Sequence, residues 1–412
     1  MTSTETKSLA VVADDLTGAC DTACQFVRFG LRTVVALTPQ VQRAGQVSVL
    51  VLDTESRKMT EEAASRCLRS QTADLTRLGR TPFYKKIDST LKGNWVAEVR
   101  AVTQVIRPEL IIVAPAFPAW GRTTLAGIQR ICGEPVAATS RGSQPIQANL
   151  VQAMRKGLGE KVAKVKTPPT RESVRWVERQ LDLNRVRGSR YVVCDALTDE
   201  HLRAICLGAS RLERRILWVG SAGLARFLPF GWGLKTREDP PLTGSPRSIL
   251  VVNGSLNPAN REQLTCLERT GDVQQLTIPI RALPATDELG RFADALRRGT
   301  TIVVTVDLNE PVRSRNQLEE TQGALQTAFS ELIDSQPELA LVVIGGDTAL
   351  KIFQQVGAEA IEICGELEPG IPWGRWVGGK FEGKPVVTKA GGFGKAETLL
   401  RIVNALRSAR AD

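Results

Sequence analysis

Short strand-like runs, several of them unbroken and apolar, punctuate the first half of the chain. They fall at Leu9–Ala13, Thr33–Leu37, Val47–Leu52, Tyr84–Ile87, Leu110–Ala114, Tyr191–Cys194 and Ile216–Val219. Runs of this length, bounded by turn residues and lacking polar alternation, predict strands buried on both faces, as in a parallel sheet. Helical patterns fill the intervals, as at Thr60–Arg69 and Thr170–Leu181. A second series follows at Ile249–Val252, Val273–Ile278, Thr301–Val306, Leu341–Ile344 and Val386–Lys389. Between the series lies Lys235–Arg247, KTREDPPLTGSPR, rich in proline, glycine and charge and without an apolar face. Such a stretch reads as a linker. The pattern predicts an α/β protein of two domains, each with a largely parallel sheet flanked by helices. Their bounds are residues 1–234 and 248–412, joined by 235–247.

Composition agrees with this division. A chain of 412 residues exceeds the usual single-domain size, and 42% hydrophobic content can fill two cores. The N-terminal MTSTETKS is polar, and no apolar run approaches a membrane span. A cytoplasmic protein without a leader or membrane association is therefore expected. The eight cysteines form no C-x-x-C pair, so they read as small core residues rather than disulfide or metal positions.

The formal net charge is +10. Nucleic acid and small anionic metabolites both suit a basic protein. The cations are dispersed, only two tyrosines are present, and no nucleic-acid motif appears. Anionic metabolites are the expected partners; a basic nucleic-acid-binding protein without catalysis stands as the alternative of another class.

The candidate chemistry lies where strands end, because open α/β sheets bind ligands at the carboxyl ends of their strands. Four polar loops follow strands in the first half. They are Ala13–Asp21 with its Asp14–Asp15 pair, Asp53–Arg57, Lys85–Asn94, and Ala114–Pro118 leading to Gly121–Thr124. Each alone is ordinary turn chemistry; four in series on one sheet edge would supply carboxylates, Arg57, Lys86 and hydroxyls to one crevice. The second half offers glycine turns instead: Asn253-Gly254-Ser255, Gly345-Gly346-Asp347-Thr348, Glu368-Pro369-Gly370 and Lys389–Gly394. Glycine lets backbone approach a phosphate, and a helix N-terminus adds oriented N–H groups. Acceptors in one half and glycine loops in the other suggest a hydroxyl-bearing substrate and a phosphate donor.

Two patterns mislead. Gly374–Lys380 has Walker A spacing up to its lysine, but Phe381 stands where a metal-binding Ser or Thr belongs. Gly220-Ser221-Ala222-Gly223 suggests a nucleophile turn, yet the single histidine, His201, lies in an unrelated helix-like segment and reads as a surface or packing residue. A dinucleotide oxidoreductase lacks a G-x-G-x-x-G between strand and helix.

At its motifs the chain resembles the four-carbon acid sugar kinase family. The matching segments are Ala13–Gly18, Lys86–Leu91 with Gly93-Asn94, Pro115–Pro118 with Gly121–Thr123, Asn253–Ser255, Gly345–Thr348, Glu368–Gly370 and Gly391–Gly394, in order along nearly the whole chain. The resemblance implies an N-terminal substrate domain, a C-terminal nucleotide domain, ATP bound between them, and magnesium accompanying ATP with ligands unassigned. It implies phosphorylation of the terminal hydroxyl of a four-carbon acid. The Thr54–Arg57 loop and the Lys-Ile-Asp-Ser-Thr-Leu segment favour threonate or erythronate over 3-oxo-tetronate, which stays as the alternative. Asp15 and Asp88 then orient or deprotonate the hydroxyl. Arg57 and Lys86 meet the substrate carboxylate or the transferring phosphate, while Glu55, Ser56, Ser89 and Thr90 line the site. Asp14 either joins them or caps the following helix. Ser255, Gly345, Gly346, Asp347, Thr348, Glu368, Pro369, Gly370, Gly391, Gly392 and Gly394 form the nucleotide-binding set. Oligomeric state is left open, a homo-oligomer being compatible.

Overall fold

The computed structural model describes residues 9–41, 46–136, 146–167, 173–238, 240–244, 246–279, 285–307, 315–333, 336 and 338–409. The readings of Met1–Ser8, of the first residues of the Thr170–Leu181 helix, and of linker positions 239 and 245 lie outside the described residues. The chain divides into two compact units, the first running to Arg237 and the second from Glu238 onward.

The first unit is built on eight parallel strands. They are β1 (Leu9–Ala13), β2 (Thr33–Ala36), β3 (Val49–Asp53), β4 (Thr81–Lys86) and β5 (Leu110–Ala114), with β9 (Val162–Val165), β10 (Tyr191–Cys194) and β11 (Ile216–Gly220). Their spatial order is β2-β3-β1-β4-β11-β5-β10-β9. Every residue of β2, β3, β5 and β10 is buried. Helices on both faces remove these strands from water, which is why the sequence shows runs rather than alternation. The chain leaves β1 toward β2 and β3, then crosses to β4 on the other side of β1. That reversal opens a crevice at the carboxyl ends of β3, β1 and β4.

Three short strands, β6 (Arg122–Leu125), β7 (Ile128–Ile131) and β8 (Glu134–Pro135), form a separate antiparallel meander. Periodicity did not predict it, nor β9, whose VAKV carries a lysine within a four-residue strand. The helix expected at Thr60–Arg69 runs over Glu61–Arg77, with the Thr60 hydroxyl accepting from Ala63 N as its cap.

The second unit has seven strands: β12 (Ser248–Asn253), β13 (Val273–Ile278), β14 (Thr301–Val306), β15 (Leu339–Ile344), β16 (Ala360–Glu368), β17 (Ile371–Val377) and β18 (Pro385–Lys389). The order β13-β14-β12-β15-β18 is parallel, and β17 and β16 continue it antiparallel. Here too the chain reverses about its first strand, with β14 on one side of β12 and β15 on the other. Val251, Val342, Trp373, Leu399 and Val403 share its core.

Cys20, Cys24, Cys194 and Cys206 are buried, as expected of core residues, but Cys132 is exposed. It occupies a left-handed turn position, φ 49°, between β7 and β8. Among the described residues no helix is long and apolar enough to cross a membrane.

Candidate active site

The crevice of the first unit is organised by one arginine. Arg57 lies on the turn after β3, and its guanidinium is met by three carboxylates. Nε donates to Asp14 Oδ2 at 2.7 Å, and Nη2 donates to Asp14 Oδ1 at 3.0 Å and Asp15 Oδ1 at 2.6 Å. Nη1 stands 3.5 Å from Asp88 Oδ2. Local structure brings these residues in. Thr54 N and Oγ1 both donate to Ala13 O, at 3.0 and 2.8 Å, and Arg57 N donates to Asp14 O at 3.2 Å. Asn94 Nδ2 donates to Met59 O at 2.7 Å, tying the β4 loop to the β3 loop. Gly93, at φ 84°, fits beside Arg57, whose Cγ would lie 3.2 Å from an added Cβ.

Asp15, not Asp14, is the N-cap residue of helix Leu16–Val27, and its side chain makes no cap bond. It turns instead toward Arg57 and accepts from Thr17 Oγ1 at 2.9 Å. Asp88 forms a turn of its own, accepting from Thr90 N at 2.6 Å and from Thr90 Oγ1.

The two lysines at the end of β4 point to opposite faces, as successive strand residues must. Lys85 is fully buried and pairs with Glu98 at 2.9 Å, bracing the strand from behind. Lys86 is also buried, but its ammonium lies over the first turn of helix Leu16–Val27. A Cβ at Gly18 would come within 2.5 Å of Lys86 Nζ and 2.4 Å of Asp15 Oδ1, so a larger residue there would displace both groups from these positions. Lys86 forms no ion pair among the described residues.

Burial opposes ionisation of Asp14 and Asp88, yet both titrate below the ordinary carboxylate value. Arg57 and then Lys86 outweigh burial at each, and Asp88 is brought down to about 2. Asp53 goes the other way. Buried at the end of β3, with Glu55 as its next-largest influence, it is pushed well above the carboxylate range. Neighbouring acids are thus set apart: Asp14 and Asp88 are lowered beside the cations, and Asp53 is raised behind them.

The remaining residues expected at this site are placed less directly. The Ser56 hydroxyl is completely buried and pairs with Thr54 Oγ1 at 2.9 Å, so it braces the loop. Glu55 sits on the rim in a left-handed conformation, φ 53°. The Ser89 carbonyl accepts from Gln129 Nε2 at 2.7 Å, and Thr124 Oγ1 donates to Gln129 Oε1 at 2.6 Å. The meander therefore supports the β4 loop through Gln129, which no motif marked. Arg122 is a second addition. Its Nη1 donates to Trp120 O at 2.8 Å, and its Nε is buried with no partner among the described residues. Burial lowers its pKa while Asp88 acts against that, so this guanidinium lies within the field of the site. The glycine–arginine pair in the fourth loop was the available signal.

In the second unit, the loops after β12, β15 and β18 meet around Ser255. Asn253 closes β12, accepting from Ser255 N at 3.2 Å and donating to Thr305 Oγ1 at 2.9 Å. Gly345 takes φ 103° at the entrance to helix Gly346–Gln355, and an added Cβ would lie 3.3 Å from Ser255 Cβ. A Cβ at Gly391 would lie 2.0 Å from Ser255 Oγ, and one at Gly254 2.0 Å from Thr348 Oγ1. Backbone, helix N-terminus and hydroxyls thus crowd one point without intervening side chains, a surface suited to phosphate.

Glu368, Pro369 and Gly370 occupy the tight turn between β16 and β17 rather than a strand-to-helix loop. Glu368 Oε2 accepts from Thr398 Oγ1 at 2.6 Å, and Gly370 packs on the Phe393 ring, which an added Cβ would meet at 2.4 Å. They buttress the Gly391–Gly394 loop. Lys389, outside the expected set, holds that loop from within. It is fully buried, and Nζ donates to Asn260 Oδ1 at 2.9 Å, Phe393 O at 2.9 Å and Ala390 O at 3.3 Å. Burial lowers its pKa to about 8, against the pull of Glu368.

The decoys have structural explanations. Ser221 is a buried helix cap whose hydroxyl donates to Ala116 O at 3.0 Å. His201 Nδ1 accepts from Leu197 N at 3.2 Å beside the start of its own helix. The Walker-like stretch begins within strand β17 and leads into a turn, not a phosphate loop ahead of a helix.

Comparison with known proteins adds an independent line. A sugar-binding N-terminal domain model matches residues 9–228, and a nucleotide-binding C-terminal domain model matches residues 250–399. The D-threonate kinase of Cupriavidus necator is 34% identical, across 98% of this chain and 99% of that protein. The D-erythronate kinase of Heliobacterium modesticaldum is 28% identical, across 97% of each. A solved structure from Salmonella typhimurium LT2, described as a putative tRNA synthase, superposes with a TM-score of 0.81 at 21% identity, covering 96% of this chain and 98% of that one. That last likeness concerns the fold. Full-length kinship and both domain matches agree with the motifs: the chain belongs to the four-carbon acid sugar kinase family.

Proposed function

We propose that the protein transfers the terminal phosphoryl group of ATP to the terminal hydroxyl of a four-carbon sugar acid, with threonate and erythronate as first substrates. The observation that carries this reading is the Asp14–Asp15–Asp88 cluster gathered on Arg57 beside Lys86. Carboxylates bound to an arginine are acceptors for a substrate hydroxyl, and these are fixed before a substrate arrives. Arg57 has most of its donors committed to them, which leaves Lys86 and Arg122 as the cations for the substrate carboxylate, with Arg57 Nη1 adjoining. A carboxyl brought down to about 2 is a weak base. That suits a loose phosphoryl transfer, in which the carboxylate aims the hydroxyl and takes its proton late. Asp15 and Asp88 share this role.

The loops around Ser255 would hold ATP. Their glycines support this reading because Gly254 packs directly on the Thr348 hydroxyl and Gly391 on the Ser255 hydroxyl, which keeps backbone and hydroxyls together with no side chain between them. Magnesium would neutralise charge on the transferring phosphates. Among the described residues no cluster of three or more His, Cys, Asp or Glu side chains forms a metal site, and magnesium held mainly by phosphate and water requires none. In this reading residues 1–234 bind the acid and residues 248–412 the nucleotide.

A panel of four-carbon acids tests the proposal. Specificity constants with ATP should be highest for threonate or erythronate. A higher constant for 3-oxo-tetronate would move the assignment to that substrate class, and no turnover with any member would overturn it.

A further inference from the structure

Strand β9 forms one edge of the first unit's sheet, and a cleft of about 470 Å³ opens along it. Its walls are the start of helix Leu150–Leu158, the β6–β7 turn at Ala126 and the turn after helix Ser173–Val186. Four cations line it, Arg155, Lys161, Lys164 and Arg187, and no Asp or Glu does. Three are held by backbone carbonyls. Arg155 Nη2 donates to Val162 O at 3.0 Å, Lys161 Nζ to Arg187 O at 2.8 Å, and Lys164 Nζ to Ala126 O at 3.2 Å. Neutral acceptors position these side chains, while Asp195, which accepts from Ala126 N and Gly127 N behind the cleft wall, is a carboxylate whose field reaches Lys164. Neighbouring surface arginines are treated differently: Arg190 pairs with Glu160 at 2.7 Å and Arg185 with Asp182 at 3.1 Å. Among the described residues no carboxylate stands within ion-pair reach of the four. Helix Leu150–Leu158 also turns its N-terminus to the cleft, with Asn149 Oδ1 accepting from Gln152 N at 3.0 Å.

We propose that this cleft is a second anion site, taking a small metabolite that carries two or more phosphate or carboxylate groups. Four like charges around one concavity repel one another unless water or an anion lies between them, and the volume falls in the range of small-molecule sites. It is not the kinase site. Five strand spacings separate β9 from β1, roughly 24 Å across the sheet, and the lining residues lie beside the edge rather than at the carboxyl ends of β1, β3 and β4. The other use of such charges is to guard an exposed sheet edge. Guarding needs neither a cleft nor cations convergent from three elements.

Hydrogen exchange of the full chain with inorganic pyrophosphate as probe tests the proposal. Pyrophosphate should slow exchange in peptides covering residues 149–165 and 184–190. The Arg155→Ala/Lys164→Ala variant should lose this protection, with at least tenfold weaker binding, while turnover with ATP and sugar acid is unchanged. If that variant fails to fold, Lys161→Gln/Lys164→Gln at exposed positions serves in its place. Absence of protection in the wild type, or protection that survives the substitutions, overturns the proposal. Stronger protection of the same peptides by a short DNA duplex at equal ionic strength does so too, because the cleft would then belong to a nucleic-acid surface.

Discussion

Arg57 shows how one residue can be read in two ways. Sequence alone presents it as a free cation for an anionic substrate. In the structure it is the hub on which Asp14, Asp15 and Asp88 converge. Removing the hub of this partly buried ion network leaves three carboxylates uncompensated, at a cost of about 3 kcal/mol, the low end for a buried pair. Arg57→Ala is therefore expected to lower both the melting temperature and kcat. Arg57→Lys should fail to restore them, since a point charge cannot replace the two-toothed bond to Asp14. An unchanged melting temperature with only a raised substrate KM would return Arg57 to the role of a simple substrate ligand. Asp88 has a second consequence. Its folded pKa, about 2, lies below the ordinary 3.8, so the unfolded chain binds its proton first as pH falls. The stabilisation is complete above roughly pH 4 and is lost as pH drops toward 2, on the order of 2 kcal/mol. Urea unfolding at pH 6 and pH 3 should show a smaller acid loss in Asp88→Asn than in the wild type. Equal losses would mean that Asp88 carries no depressed pKa.

At the scale of elements, the glycine loop after β18 depends on Lys389. Its three donated bonds end on Asn260 and on two carbonyls of the loop itself. Lys389→Met removes all three and leaves buried acceptors unpaired, each worth about 1–3 kcal/mol. The expected result is a raised KM for ATP with the sugar-acid KM unchanged, and steady-state kinetics with each substrate varied in turn will show it. Parallel changes in both constants would make Lys389 a general stabiliser instead. The elements also show what the sequence could disclose. Apolar runs revealed β1, β5, β10 and β14 at their observed bounds, because burial on both faces leaves no other pattern. The meander was hidden because its strands are short and carry Arg122, Arg130 and Glu134. The β16–β17 hairpin was hidden because Glu368-Pro369-Gly370 reads equally as a loop. The carboxylates, Lys86 and the glycines were legible as strand-end chemistry. The Arg57 hub was not, since Asp14 stands 43 residues away and only the fold brings the two together. Gln129, Arg122 and Lys389 escaped for the same reason: their partners are distant in sequence or are backbone atoms.

The whole molecule is a sugar-acid kinase of the four-carbon family, and its charge bears on how substrates reach it. A formal net charge of +10 attracts anionic acids and nucleotides. The specificity constant for the sugar acid should fall as salt rises from about 10 mM to 150 mM, as the screening length contracts from roughly 30 to 8 Å. A flat salt dependence would show that the charge serves other ends. In the proposed reaction a hydroxyl set by the aspartates receives phosphate from ATP at the far end of a four-carbon acid. The most direct measurement is the proton-coupled phosphorus NMR spectrum of the full chain incubated with ATP, magnesium and threonate or erythronate. The expected result is ADP together with a new phosphomonoester signal split by two methylene protons, the mark of a terminal ester. Intact ATP with both acids, or an ester split by a single proton at an internal carbon, would contradict it.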